Sequence, residues 1–279
     1  MELHATLPAE RPDADPRELA DLAQLAEELG YGGLTLPDHL FTPRPPEEGY
    51  GGSFDAFVTL GYLAAVTEHI ELALSVLVLP LRNPYVVAKQ AATLARLSGD
   101  RFVLGIGVGW ERFEFDATGA DFTTRGARTD SALRLIRNLH TTGGAAFDDP
   151  RYGHPGGYFT PVPHRPVPIM VGGVSDAALR RAARHGDRWQ SHGIGPEDFV
   201  ERATHLRSLA DCPVATDARI SIARGSAAEA AGTTAAELDT WAATGAERLT
   251  VWFGPDVTTA AERMRALATH PQAHPYLVR

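Results

Sequence analysis

His39 and Glu111 are the two side chains of this sequence best placed, by type and neighbourhood, to move a proton. His39 closes Leu36-Pro37-Asp38-His39 at the exit of a short apolar run, where an imidazole can exchange a proton near neutral pH. The competing reading is a histidine that holds a loop by hydrogen bonding. Glu111 ends Gly105-Ile106-Gly107-Val108-Gly109-Trp110-Glu111, and a carboxylate half-buried behind three glycines would have a raised pKa. Alternatively it is a first-turn helix acid facing the dipole, a reading that Glu114 and Asp116 nearby strengthen. Alternating glycines let backbone approach a flat or charged ligand. Gly172-Gly173-Val174-Ser175 is a second such place: free amides at a helix start bind anions, and Ser175 either donates to a phosphate or caps the helix. His154, His164 and His192 stand isolated and read as structural or solvent-facing.

These residues need a scaffold that brings strand exits together. The chain alternates short apolar runs with amphipathic segments. Leu3 to Leu7 reads as a first strand, and Asp15-Pro16 then opens a helix with a cap and a proline at its first position. Leu19, Leu22, Leu25, Ala26 and Leu29 give that helix its apolar face, and Gly30 stops it. Gly33 to Leu36 reads as a strand, Phe54 to Thr67 as a helix, and Ile70 to Leu79 as one long apolar strand. Asn83-Pro84 repeats the cap-and-proline start of a helix ending at Leu97. Gly99-Asp100 is a turn before the strand Phe102 to Leu104, and Arg125 to Leu139 forms the next helix. A region rich in glycine and proline around 143–167 reads as an excursion from the core. The remaining strands fall at Pro168 to Val171, Arg188 to Gln190, Ala218 to Ala223 and Leu249 to Phe253, separated by helices at Ser175 to His185, Glu197 to Leu209, Ala235 to Thr244 and Thr258 to Ala268. Eight strand-helix pairs in one chain of 279 residues predict an α/β protein, a (β/α)8 TIM barrel with inserted segments, with an open doubly wound sheet as the alternative. In a barrel the site lies at the carboxyl ends of the strands.

Composition removes several classes of function. A formal charge of −9 without a basic block argues against nucleic acid as a partner. Cys212 is the only cysteine, which excludes an internal disulfide framework and suits a cytoplasmic protein. The start Met1-Glu2-Leu3-His4 has neither a cationic region nor a long apolar run, so no signal peptide is expected, and no stretch approaches the roughly 20 apolar residues of a membrane span. The glycine loop is not a dinucleotide fingerprint, because Trp110 occupies the place of its third glycine. The histidines show no paired metal spacing, so no metal is expected.

Ala91-Ala92-Thr93-Leu94-Ala95-Arg96-Leu97-Ser98-Gly99-Asp100-Arg101-Phe102, followed by the glycine loop to Glu111, resembles the luciferase-like monooxygenase superfamily, and within it the oxidoreductases that use the deazaflavin coenzyme F420. Leu36-Pro37-Asp38-His39, Leu77-Val78-Leu79-Pro80, Asn83-Pro84 with Lys89-Gln90, Arg125-Gly126-Ala127-Arg128, Val171-Gly172-Gly173 and Gly186-Asp187-Arg188-Trp189 agree in kind and order. The resemblance implies a bacterial luciferase-like barrel with a deazaflavin lying across the strand ends. It puts His39 near the ring as acid or base; Glu111, read from its own neighbourhood, remains the second catalytic candidate. It implies a non-prolyl cis peptide at Ser75-Val76, in a bulge behind the ring. Gly107, Gly109, Gly172 and Gly173 fall where the family contacts the cofactor's tail and phosphate; Asp38, Val108 and Ser175 complete the expected cofactor-binding set. The implied reaction is hydride transfer at C5 of the deazaflavin to or from a small organic substrate, in a pocket partly closed by the loop 41–52. One alternative is a monooxygenase using reduced FMN and oxygen, supplied by a separate flavin reductase. Another is a non-catalytic deazaflavin-binding protein. The family habit implies a homodimer.

Overall fold

The helix starts are written locally in this chain. In the computed structural model, which describes residues 1–9, 15–45, 50–52, 54–222 and 224–278, Asp15 accepts the Arg17 amide at 2.8 Å ahead of helix α1 (Pro16–Glu28). Asn83 does the same for Tyr85 at 2.9 Å ahead of α3 (Pro84–Leu97). A side-chain oxygen there satisfies an amide that the helix leaves unpaired, and the proline lacks one. Between these two helices lie β2 (Gly33–Leu36), α2 (Ala56–Val66), β3 (Glu71–Leu74) and β4 (Leu77–Val78), after β1 (Glu2–Thr6) at the start of the chain. Then follow β5 (Phe102–Gly107), α4 (Arg112–Thr118), α5 (Arg125–Thr142), β6 (Ile169–Gly172), α6 (Asp176–His185), β7 (Arg188–His192), α7 (Pro196–Leu209), β8 (Ala215–Ser221), α8 (Ala227–Ala243), β9 (Arg248–Trp252) and α9 (Val257–Ala268).

All strand pairings are parallel, in the order β3-β2-β1-β9-β8-β7-β6-β5-β4, and β3 also pairs with β5. That last pairing closes the sheet, so the fold is the (β/α)8 barrel and not an open sheet. β3 and β4 are two halves of one barrel strand. Leu72 pairs with Phe102 and Leu77 with Ile106; the first two are five residues apart and their partners only four. One extra residue therefore sits at Ser75-Val76, a bulge of the kind that re-aims side chains at barrel rims. The Ser75-Val76 peptide is cis.

The structure corrects the sequence reading in four places. The apolar run Ile70 to Leu79 is interrupted rather than one strand. The short helix α4 follows the glycine loop, where a helix was expected only in the alternative reading of Glu111 as a helix-start acid. The third correction is that the helix read from Phe54 begins at Ala56, capped by Asp55. Lastly, α8 starts eight residues earlier than Ala235, with a capping box between Ser226 and Glu229. In the stretch 143–168 the described pairing is an antiparallel bridge between Phe147 and His154. Part of it is held to the barrel by Asp149, which is bound by Arg134 at 2.5 Å.

The main core lies between barrel and helices. Leu19, Leu22, Ala23 and Ala26 of α1, with Leu179 and Ala182 of α6, are essentially buried there. Burying such a side chain stabilises by about 1.5–3 kcal/mol for the larger ones. Inside the barrel a separate small cluster joins Ala73, Val103 and Met170. At the opposite, amino end of the strands, Arg101 donates to the carbonyls of Ala64, Thr67, Ile70 and Ser98. It thereby ties the end of α2 and the start of β3 to the end of α3.

Candidate active site

The strand exits converge on a pocket of about 420 Å³ at the carboxyl mouth of the barrel, a size suited to a small ligand. β2 contributes Pro37, Asp38 and His39; the bulge contributes Ser75 and Val76; β5 and its loop contribute Gly107, Val108, Gly109 and Trp110. Gly172 and Gly173 follow β6, and Gln190, His192 and Arg219 enter from β7 and β8. Of the eleven residues singled out in the sequence, nine line this one pocket; Glu111 and Ser175 do not.

Val76 explains two of the glycines. A Cβ added at Gly107 would lie 2.7 Å from one Val76 methyl, and one at Gly172 would lie 2.8 Å from the other. Those glycines make room for Val76, which wedges between the ends of β5 and β6. Gly109 and Gly173 have φ of 75° and 118°, a backbone region that side chains disfavour. The result is a floor poor in side chains, with one valine set between glycines. Behind it, Ser75 Oγ donates to Gln190 Oε1 at 2.7 Å, Gln190 Nε2 donates to Thr250 at 3.3 Å, and Arg219 donates to the Ser75 carbonyl at 3.0 Å.

His39 is held from one side. Its Nδ1 lies 3.0 Å from Glu114 Oε2, and its ring is 14% exposed. The other oxygen of Glu114 accepts the amides of Leu40 at 2.7 Å and Phe41 at 3.2 Å. Burial opposes the charge on Glu114, but the bonds from His39, Leu40 and Phe41 hold its carboxyl below the ordinary value. Tyr50 packs on the His39 ring at 4.6 Å between centroids and on Trp110 at 4.7 Å. The neighbouring residues 46–49 of the loop expected to close the pocket lie outside the described residues.

Glu111 does not meet its expectation of a raised pKa. It caps α4, accepting from Phe113 and from the Tyr50 hydroxyl, and these two bonds, Tyr50 first, hold its carboxyl below the usual range. Burial and then the bond to Glu111 push the Tyr50 phenol up to about 12. Ser175 likewise spends its oxygen on the Ala178 amide at 3.2 Å, capping α6. Asp38 is buried and takes two bonds from Arg82, at 2.7 and 2.6 Å, and one from Val78 at 2.9 Å. Burial pushes its carboxyl up, against the pull of Arg82 and the Val78 amide. It therefore fixes the β2 exit to the segment after the bulge.

Trp110, Gln190 and His192 lie in the strand-exit stretches Gly105 to Glu111 and Trp189 to His192, where a barrel is expected to place its site, but the sequence assigns them no role; Arg219 escapes the reading altogether. His192 stands at the rim rather than in an unrelated place; the surrounding protein mass, then the Arg219 charge, pull its pKa below the usual imidazole value. Gln190, Arg219 and Trp110 also line the pocket. Alternation along β7 makes Gln190 and His192 share a face, a signal present in Arg188-Trp189-Gln190-Ser191-His192. Arg219 has no such local mark. Among the described residues no group of three or more His, Cys, Asp or Glu stands together as a metal site, and no helix is long and apolar enough to cross a membrane.

A closed parallel barrel thus carries a histidine, a bulge and two glycine turns around one open pocket at its carboxyl mouth. Residues 1–276 match the model of the family described as luciferase-like monooxygenase, and the chain belongs to that family. It is similar to the F420-dependent glucose-6-phosphate dehydrogenase of Gordonia bronchialis, 33% identical over 211 residues, which are 72% of this chain and 61% of the relative. The chain thus spans less than two thirds of that relative's length. Among solved structures, an F420-dependent secondary alcohol dehydrogenase in complex with an F420-acetone adduct superposes with a TM-score of 0.80 at 16% identity, covering 96% of this chain and 99% of that one. The EDTA monooxygenase EmoA from Chelativorans sp. BNC1 gives 0.82 at 14%, covering 99% and 94%. These two likenesses concern the fold.

Proposed function

We propose that this chain is an oxidoreductase that uses coenzyme F420 and a small organic substrate. The observation that carries the reading is the convergence of His39, the Ser75-Val76 bulge and Gly107, Gly109, Gly172 and Gly173 on one pocket. The names of its dehydrogenase relatives support the choice of deazaflavin. The residues fit a planar ring: Val76 stands between positions without side chains, and His39 and Trp110 border the same space. When bound, the deazaflavin supplies a two-electron hydride acceptor or donor. The backbone at Gly107 to Gly109 and at Gly172 to Gly173 would hold it, and Gln190, Arg219 and His192 would offer polar contacts beside it. His39 Nε2, the ring nitrogen not engaged by Glu114, takes the proton of a substrate hydroxyl as the adjoining carbon loses hydride, or returns a proton to the carbonyl oxygen as that carbon gains hydride. Glu111 is left the smaller part of holding Tyr50 against His39.

The test is a fluorescence titration of the purified protein with oxidised F420, run beside FMN. Saturable quenching with F420 alone supports the reading, and glucose 6-phosphate is then the first hydride donor to try, followed by simple secondary alcohols. Preference for FMN, with oxygen consumed on addition of reduced FMN, replaces it by a two-component monooxygenase. Tight F420 binding without turnover of any donor or acceptor marks a binding protein.

A further inference from the structure

We propose that Glu114 is a positioning residue that fixes the tautomer of His39, placing the proton on Nδ1 and the lone pair on Nε2 at the pocket. The inference rests on the reading of His39 as proton partner and adds the group that makes it competent. A carboxylate has only acceptors to offer. Glu114 is 2% exposed, and its Oε2 faces His39 Nδ1 at 3.0 Å, so Nδ1 must be the donor. A neutral imidazole carries one ring proton, which leaves Nε2 as an acceptor. The same carboxylate also fixes the backbone that carries the ring, through the Leu40 and Phe41 amides. One side chain thus sets both where the imidazole stands and which nitrogen is free. Carboxylate partners of functional histidines act in this way elsewhere.

The arrangement makes a sharp distinction between near-isosteric replacements. In Glu114→Gln the amide has one accepting oxygen and one donating nitrogen, facing three donors in the native site. The two backbone amides claim the oxygen, so the amide nitrogen turns to His39 and donates to Nδ1. The proton then moves to Nε2, and the ring presents a donor where it presented an acceptor. Glu114→Asp keeps an acceptor-only group one methylene shorter and keeps the native tautomer.

The experiment is long-range 1H–15N spectroscopy of the histidines in the cofactor-free chain at mildly alkaline pH, with His39 assigned by its loss in His39→Ala. The native protein and Glu114→Asp should show the proton on Nδ1, and Glu114→Gln should show it on Nε2. Turnover with F420 should fall about 10²–10⁴-fold in kcat for Glu114→Gln with KM little changed, and the substitution should add no further loss in the His39→Ala background. A native His39 protonated at Nε2 overturns the proposal without any variant having to fold. So does an unchanged tautomer in Glu114→Gln, or a further loss of kcat in the double variant. If no donor or acceptor is turned over, the cofactor reading fails while the spectra still decide the role of Glu114.

Discussion

The two ends of the barrel use similar residues to opposite ends. At the amino end, charged side chains are spent on one another and on backbone. Arg188 donates to Asp217 at 2.7 and 2.6 Å, and Arg248 reaches Glu71 at 2.6 Å. β9 and β3 have two strands between them, so that second pair spans the barrel floor. Gly33 leaves room there for the His4 ring, whose Nδ1 would lie 2.2 Å from an added Cβ. At the carboxyl end glycine also yields to a neighbour, but the neighbour is Val76 and the space above it stays open. Among the described residues, His39 is anchored by one nitrogen only. The difference separates stability from chemistry: the closed end can lose activity only by unfolding, whereas the open end can lose it with the fold intact.

That separation can be broken by substitution. The largest expected effect is at the mouth: His39→Ala should cut kcat by about 10²–10⁴-fold while circular dichroism shows the fold retained. An unaltered rate would remove His39 from the chemistry. At the floor, Asp217→Ala leaves the guanidinium of Arg188 without its main partner. Breaking such a buried pair costs about 3–5 kcal/mol, to be read from the urea midpoint, with F420 affinity of the folded fraction preserved.

A finer contrast sets glycine against glycine. Gly107→Ala forces Val76 to move and should cost about 1–3 kcal/mol as overpacking, together with weaker F420 quenching. Val76→Ala in the same chain should recover most of the loss, whereas an unrelieved double variant would show that the wedge is not the cause. Gly33→Ala should destabilise without touching quenching.

The smallest effect is one of pH. The Glu114 carboxyl is held below its ordinary value of 4.5. A group with a lowered folded pKa stabilises the native state above the unfolded pKa, and that stabilisation is lost as pH falls through the folded value. Native stability should therefore drop on acidification below about pH 4.5, and Glu114→Gln should have a flatter acid limb in denaturant titrations.

Much of this organisation is legible in the sequence because its signals are local. Asp15-Pro16 and Asn83-Pro84 announce helices by the chemistry of their caps, and glycines at strand exits announce turns. The bulge is not legible in the same way. Ile70 to Leu79 reads as one apolar run; the family resemblance implies a bulge at Ser75-Val76, and the register with β5 shows the extra residue there. Helix α4 is too short for an apolar period, and its signal, a capping Glu111, is the side chain that reads equally well as a buried acid. Glu114 lies three residues further on, and its partnership with His39 spans 75 positions; spacing along the chain carries no trace of it. His192 and Arg219 become neighbours only through the β7–β8 register.

The bulge also changes what a strand can offer a ligand. A regular strand shows every second residue to the lumen and hides the next. Here Ala73 lies in the lumen cluster, Ser75 bonds to Gln190 across it, and yet Val76 and Val78 line the pocket while Leu77 packs in the outer core. Odd positions face inward before the interruption and even ones after it, so two consecutive residues serve the same side. The height of the pocket floor is consequently set by a miscount between two ladders. Replacing the side chain at 76 would tune that height, whereas removing the residue would restore the alternation with Leu77 still outward and Val78 still inward, and would take away the floor itself.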